Sequence, residues 1–500
     1  MQHIAPIRDK EFPLGYNDKY KPEDLPPGFC VDAINCFLEE RKIKERNGYS
    51  LVGNDTNEVH QILGLGYLET PSVRHLLRVG DDSSGNFGYI RYWTGSGNWI
   101  WISTRTLTKD LPTEMETAQG KTYMTNGTDT VLSWDGTTLA QVAAFPKAKY
   151  IKWFHNYMFA FNVSGNRSRL YFSNLGDPET WGASDYLDIA PGDSDQGTGL
   201  NVLGDELIIG KGHRVKAFSG WSAATFSVKD VSDRLAEYGV ASHRTMLNIG
   251  NDLLFLSFAG DVPHFRSLQR TRYAVNIYGG IISDDIENTM RGLNASALSV
   301  AAGLFDGKRA WFFVPNGSST INDLTLCYDT VTKGWTKHTG INASVALIAN
   351  VTGAPVRYFG ESRAQSKVYK LDSSNSDNGS AISFQFTTRR FQPDFKRKHK
   401  YKYLYLHAET IGNVDVGVKT SVDGFTYDNQ GNLNLQGTSS TFPLTFDAQL
   451  GSTDVKRKRF ELGYQPRYNI QLQLTKNDTN SRAVIRDYEF EGYAKGLRDA

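Results

Sequence analysis

Seven times along this chain an apolar strand runs into a polar turn, and a second strand rich in aromatic residues returns. These hairpin phrases begin near His75 (HLLRVGDDSSGNFGYIRYW), Tyr123 (YMTNGTDTVLSWDG), Met158, Leu207, Leu253, Arg309 and Val356. A single small sheet of this kind cannot bury both of its faces. Several arranged radially can, and closing the ring removes most open edges. The mean interval of about 47 residues matches the four-stranded blade of a β-propeller. The spacing predicts an all-β fold with a six- or seven-bladed propeller over residues 56–375.

The flanks read differently. Residues 1–55 are polar and broken by proline, and they predict an N-terminal arm. The stretch after Pro27 suggests a short helix, against which Gly28 and the β-branched residues count. After the linker DSSNSDNGSA the last segment alternates with period two. Ile382, Phe384 and Phe386 share one face, as do Val414, Val416 and Val418. Phe442, Leu444, Phe446, Ala448 and Leu450 form another set. Ile470, Leu472 and Leu474 oppose Asn469, Gln471 and Gln473, and Tyr488 and Phe490 close the series. One wet and one dry face mark antiparallel sheets, so residues 376–500 predict a β-sandwich or jelly-roll-like domain.

Composition bounds the function. The 500 residues carry a formal net charge of +1, where a dedicated nucleic-acid binder carries a basic excess. Cys30, Cys36 and Cys327 form neither a CxxC pair nor a zinc spacing. The opening MQHIAPIRDKEF has no basic-then-apolar leader pattern, and no apolar run reaches membrane-spanning length. Assembly inside a cell without disulfides is the expectation.

No motif points to catalysis. GDELIIGKG (204–212) has five residues between its glycines where a phosphate loop has four, and Gly212 stands where a magnesium-binding Ser or Thr belongs. PGDSDQG (191–197) holds Asp193 and Asp195 but lacks the carboxylates of a calcium loop. His243 beside Arg244 reads as a surface or packing residue rather than a base. Asp284 and Asp285 would point apart on a strand. No cofactor or metal is expected, and the chain is not expected to be an enzyme. RLYFSNLGDPETW (169–181) superficially matches the Ser-x-Asp-x-Gly-x-Thr-Trp turn of sialidases, yet Gly176 precedes Asp177 and one residue is added. That turn is structural even in sialidases, and here Trp181 is expected to pack between sheets.

Two basic runs, KRKHKYKYLYLH (396–407) and KRKRF (456–460), lie in the last domain, which carries more Lys and Arg than Asp and Glu. Lys396, Arg397, Lys398, Lys400, Lys456, Arg457, Lys458 and Arg459 are the candidates for a subunit interface or a DNA-facing surface. Strand alternation would place Tyr401, Tyr403, Tyr405 and His407 on one face and Lys400, Lys402, Leu404 and Leu406 on the other. Basic residues interleaved with aromatics can bind nucleic acid, but the near-zero total charge favours subunit contact or a solvated face.

Several phrases together resemble a known family. LYFSNLGDPETW and GVASHRTMLNIGNDLLFLSFAGD (239–261) resemble blade phrases of virion propeller proteins of tailed bacteriophages. DLPPGFCVDAINCFLEERKIKERNGY (24–49) resembles their N-terminal arm, and the segment from RYNIQLQL to the C-terminus resembles their final sheet. The nearest family is the tail nozzle or hub protein of short-tailed phages, including tail tubular protein B and packaged-DNA stabilisation proteins. The resemblance implies a homohexameric ring below the tail adaptor, on the portal side. It would contact tail fibres or spikes, with viral DNA passing through the channel. It also implies a virion location after assembly in the host cytoplasm. Rival readings are a carbohydrate- or receptor-binding propeller using Trp93, Trp99 and Trp101, and a propeller glycosidase.

Overall fold

The computed structural model describes residues 14–53, 61–81, 87–102, 106–231, 238–258, 260–273, 279–363, 365, 367–393, 397–409, 413–435, 455–464, 466–479 and 482–494, with only the backbone of 2–3, 7–9 and 455–456. The chain divides into two units. One comprises Leu51–Thr325 with Ile341–Leu371, and the other Met1–Ser50, Leu326–Gly340 and Asp372–Ala500.

The larger unit is a β-propeller of seven sheets. Their innermost strands are Ile62–Glu69, Glu114–Ala118, Ala148–Phe154, Gly197–Leu203, Leu247–Asn248, Ala302–Phe305 and Ala343–Ala349. Each neighbours the next, and the seventh meets the first, so the ring closes. The second strands are Arg74–Asp81, Lys121–Thr125, Tyr157–Val163, Glu206–Lys211, Leu253–Phe258, Arg309–Val314 and Val356–Glu361. These are the strands on which the seven hairpin phrases begin. They read as continuous apolar runs because both faces are covered. Tyr157–Asn162 and Leu253–Ser257 are buried without a break.

The hairpins are set by turn residues. Gln119 and Gly120 (φ +49° and +76°) and His155 and Asn156 (φ +48° and +62°) each hold two successive left-handed residues, as a type I′ turn requires. Apolar clusters then lock neighbouring blades. Leu77, Val79 and Ile90 of the first blade meet Met124, Leu132 and Trp134 of the second. Between the third and fourth, Phe159, Phe172, Phe218 and Phe226 nest edge to face, with centroids 4.8 Å apart for Phe218 and Phe226. Each such pair adds about 0.5–1.5 kcal/mol beyond the area it buries.

The segment just before the first blade also reaches the seventh sheet. The Val52 N–H donates to the Val368 carbonyl (2.9 Å), and the Val52 carbonyl accepts the Trp99 indole N–H (2.8 Å). One segment therefore ties the last blade to the first, which resists opening of the ring at its only chain break.

The other unit consists of two sheets. In the first, the strand order is Val455–Glu461, His399–Glu409, Val484–Ala494, Lys42–Glu45 and Cys36–Glu39, with Gln2–His3 and Ile7–Asp9 paired along Val484–Ala494. In the second, Trp335–His338, Gly15–Tyr16 and Phe29–Ile34 precede Ile382–Thr388, Gln471–Asp478, Asp415–Ser421 and Asp428–Asn434. Phe391, bridged to Ile470, lies 6.0 Å from both Tyr488 and Phe490 and so joins the inner faces of the sheets. Ile382, Phe384, Phe386, Val414, Val416, Val418, Ile470, Leu472 and Leu474 are all buried.

Three expectations need correction here. The N-terminal arm expected over residues 1–55 is not a separate element: its described residues include strands of both sheets, where Ala33 pairs with Phe386 and Ile43 with Ile485. The stretch after Pro27 is the strand Phe29–Ile34 rather than a helix. Gln471, expected on a wet face, is buried, and its amide donates to Thr388 and accepts from Tyr427. The Phe442–Leu450 set lies outside the described residues.

Buried charge holds this unit together. Arg46, 1% exposed, forks onto Asp377 (2.7 and 2.6 Å) and also donates to Asn35, the Asn47 carbonyl and the Thr339 carbonyl. Lys476 and Glu45, both buried, pair at 3.0 Å.

Candidate functional site

The two basic runs meet on the first sheet of the smaller unit. Val455–Glu461 lies antiparallel to His399–Glu409, with Arg459 opposite Tyr405 and Arg457 opposite His407. The even alternation expected along 400–407 does not hold. A β-bulge between Tyr401 and Tyr403 turns Tyr401 inward with Leu404 and Leu406, leaving Tyr403, Tyr405 and His407 on the outer face.

That outer face is sorted by charge. Arg457 stacks 4.4 Å from the Tyr405 ring, Arg459 4.7 Å from Tyr403, and Lys402 4.9 Å from Tyr403. Across the next strand boundary, Tyr403, Tyr405 and His407 stand opposite Glu491, Glu489 and Asp487. The Tyr405 hydroxyl donates to Glu491 (3.1 Å), and His407 pairs with Asp487. Guanidinium, aromatic and carboxylate columns thus run side by side. The acidic column is written in the sequence as DYEFE, with its acids at period two, but its partner strand is not local and was missed.

The other predicted residues fall elsewhere. Lys396 and the Lys456 side chain lie outside the described residues. Lys400 is exposed, opposite Tyr493. Lys398 lies over the Tyr468 ring, beside Arg397. Lys458 turns away from the aromatic column, over the Phe460 ring, and donates to the Asn432 carbonyl on the second sheet.

A second cluster sits on the propeller axis, where the innermost strands begin. His243 and Arg244 occupy a short 3-10 turn before the fifth blade. Arg244 donates to Glu114 (2.8 Å) and to the carbonyls of Leu63 (2.8 Å), Thr113 (3.0 Å) and Ser344 (3.1 Å), spanning the first, second and seventh blades. The His243 Nδ1 accepts the Leu200 N–H (3.2 Å), which leaves Nε2 facing Glu114 at 3.6 Å. Burial raises the Glu114 carboxyl, but Arg244 and then His243 more than reverse this and hold it below its ordinary value. Tyr150 stacks 4.8 Å from His243, and burial followed by the Glu114 charge pushes its hydroxyl up to about 12. Sequence alone read His243, beside Arg244, as a surface or packing residue. That they converge with Glu114 depends on ring closure.

The remaining candidates are structural. The buried Lys211 ammonium sits where a cation would sit in PGDSDQG, holding Asp193 (2.5 Å) and the carbonyls of Ile189 and Ala190. Asp195 accepts the N–H groups of Gly212 and His213. In the Gly-Asp-Pro turn, Asp177 caps Glu179 and Thr180, and Trp181 packs 4.5 Å from Phe145 of the adjoining blade. Trp93 and Trp99 are buried, while Trp101 is exposed against Tyr89. Among the described residues, no group of three or more His, Cys, Asp or Glu is placed to hold a metal ion. Burial pushes the Cys30 and Cys36 thiols well up, which suppresses thiolate chemistry.

Buried imidazoles make stability depend on pH. Burial lowers His75, His243 and His264, so each binds its proton more weakly folded than unfolded. Their contribution is complete above the unfolded value of 6.5 and is lost as pH falls below it. Glu45, raised by burial, acts in the opposite sense. The urea midpoint is expected to drop between about pH 7.5 and about pH 5.5. A constant or rising midpoint contradicts this assignment.

No family model matches the chain, and no curated protein matches it by sequence. Solved structures do. The WD40 domain of Neurospora crassa Pan2 aligns with 62% of this chain and 88% of its own at 6% identity and a TM-score of 0.37. The exo-beta-1,3-galactanase of Phanerochaete chrysosporium aligns with 89% of this chain and 100% of its own (11% identity, TM-score 0.28). The N-terminal domain of Nup159 aligns with 64% and 97% (11% identity, TM-score 0.36). The chain is an all-β protein built on a β-propeller, as its closed ring of seven sheets shows.

Proposed function

We propose that this chain is a non-catalytic virion protein, the nozzle or hub subunit of a short-tailed phage. In this reading copies form a ring, with six the expected number, around the DNA channel below the adaptor. The ring retains packaged DNA and conducts it during ejection. The virion assignment rests on the likeness of the blade, arm and C-terminal phrases to that family. The observation that carries the assembly role is the charge-sorted face.

A surface that offers cations and carboxylates on neighbouring strands is complementary to a copy of itself. It suits a specific subunit contact better than a polyanion, which the partly exposed Asp487 and Glu491 would repel. The arginine-covered tyrosines supply flat, preorganised contact area, and a stable ring interface buries about 2,000 Å² or more. A DNA passage in this reading runs between copies, not through a blade ring. A near-neutral wall also lets DNA slide, where a basic one would hold it. The burial of Trp93 and Trp99 removes two of the three tryptophans that a sugar-binding propeller would use.

Mass spectrometry of purified particles and native mass measurement of the protein test this. The wild-type chain is expected in virions in multiple copies. The double variant Arg457→Glu and Arg459→Glu is expected to be lost from them while its unfolding free energy stays within about 0.5 kcal/mol of wild type. A chain absent from particles, or a variant incorporated normally, overturns the reading.

A further inference from the structure

We infer that the mouth of the propeller axis is a binding site for a small carboxylate with a compact apolar body. The cavity there measures about 270 Å³ and is lined from six of the seven blades. It lies below the range of about 300–1,000 Å³ that holds drug-sized molecules, so its ligand is small.

The chemistry of the lining selects the ligand's charge. Among the described residues, Glu114 is the only carboxylate lining the cavity, and both its oxygens are taken, one by Arg244 and one facing His243. Among the charged and aromatic groups of the described lining, what remains open is donors. Lys149 is exposed and makes no hydrogen bond or ion pair among the described residues, and the Tyr150 hydroxyl likewise has no partner. Arg244 spends one N–H of its Nη1 on Ser344 and keeps the other.

The formal charge of this lining is therefore positive by one, from Lys149 and Arg244 against Glu114, with His243 held neutral by its acceptor role toward Leu200. An ammonium, a hydroxyl and a guanidinium N–H without acceptors describe a site for one oxyanion. Leu63, Leu111, Pro112 and Val300 supply the apolar wall, and the Tyr150 ring, braced on His243, adds a fixed flat surface. A phosphate would leave that wall unused, whereas a carboxylate on a ring or short aliphatic body uses both halves. Because one side of the lining is the Glu114–His243–Arg244 brace, the site is preorganised and loses little entropy on binding.

The test is calorimetric titration of the full chain at fixed ionic strength with sodium benzoate and, separately, with benzamide, its neutral isostere. Benzoate is expected to bind with one site per chain, and benzamide at least tenfold more weakly. Lys149→Ala, at an exposed position, is expected to weaken benzoate about tenfold, and Tyr150→Phe about threefold, as expected for one charged and one neutral hydrogen bond. Unchanged thermal midpoints in both variants show that the fold is intact. Equal binding of benzoate and benzamide, benzoate affinity indifferent to Lys149→Ala, or no benzoate heat up to about 10 mM overturns the inference. None of these outcomes bears on the virion reading.

Discussion

Arg46→Ala is expected to cost about 3–5 kcal/mol of unfolding free energy in the two-sheet unit, because it strands a buried carboxylate. Arg46 is 1% exposed and Asp377 7% exposed, and the pair is bidentate. The same guanidinium also donates to the Asn47 and Thr339 carbonyls and to Asn35, whose oxygen keeps a second donor in the Thr339 N–H, so alanine strips the carboxylate and two carbonyls at once. Breaking such a pair is far more harmful than replacing both partners. The double variant Arg46→Met with Asp377→Leu is therefore expected to recover most of the loss. Urea denaturation, followed by the change in midpoint at constant slope, measures both. A single-variant loss below about 1 kcal/mol, or a double variant worse than the single, contradicts the assignment of Arg46 as the organising charge of this unit.

Arg244→Ala is the corresponding lesion in the propeller, with an expected loss of about 3 kcal/mol. It removes the donor to Glu114 and to three carbonyls on the first, second and seventh blades, which no neighbouring strand can replace. Lysine keeps the charge but not the planar fork, so Arg244→Lys should recover only a minor part. The pH dependence separates the ion pair from the packing. Glu114 is held below its ordinary value of 4.5, so its stabilising contribution is complete above pH 4.5 and disappears as pH falls through the folded value. The gap between wild type and Arg244→Ala should therefore narrow on going from about pH 7 to about pH 4. A gap independent of pH would assign the loss to the carbonyl contacts alone.

The hairpins were legible because their signals are local. An apolar run, a turn that tolerates left-handed residues such as Asn156 and Gly120, and a returning aromatic strand all lie within one short window. The alternation of Phe384, Phe386, Leu472 and Leu474 likewise reports a half-buried strand without reference to its partner. The face of the basic strand was misread for an equally local reason. Alternation assumes an unbroken pleat, and the bulge at Tyr401–Tyr403 adds a residue that no periodic pattern announces.

By itself, then, the order of residues determined the all-β class, the places of all seven second strands and the two basic runs as separate tracts. Only the tertiary structure decided which tracts meet. Arg46 and Asp377 stand 331 residues apart, Val52 bonds to Val368 of the last blade, and Arg457 finds Tyr405 and Glu491 only as columns of one sheet. Backbone preference and burial act over a few residues and leave a period in the chain. Strand partnership and charge pairing are chosen by whichever surface the folded whole brings near, and leave none.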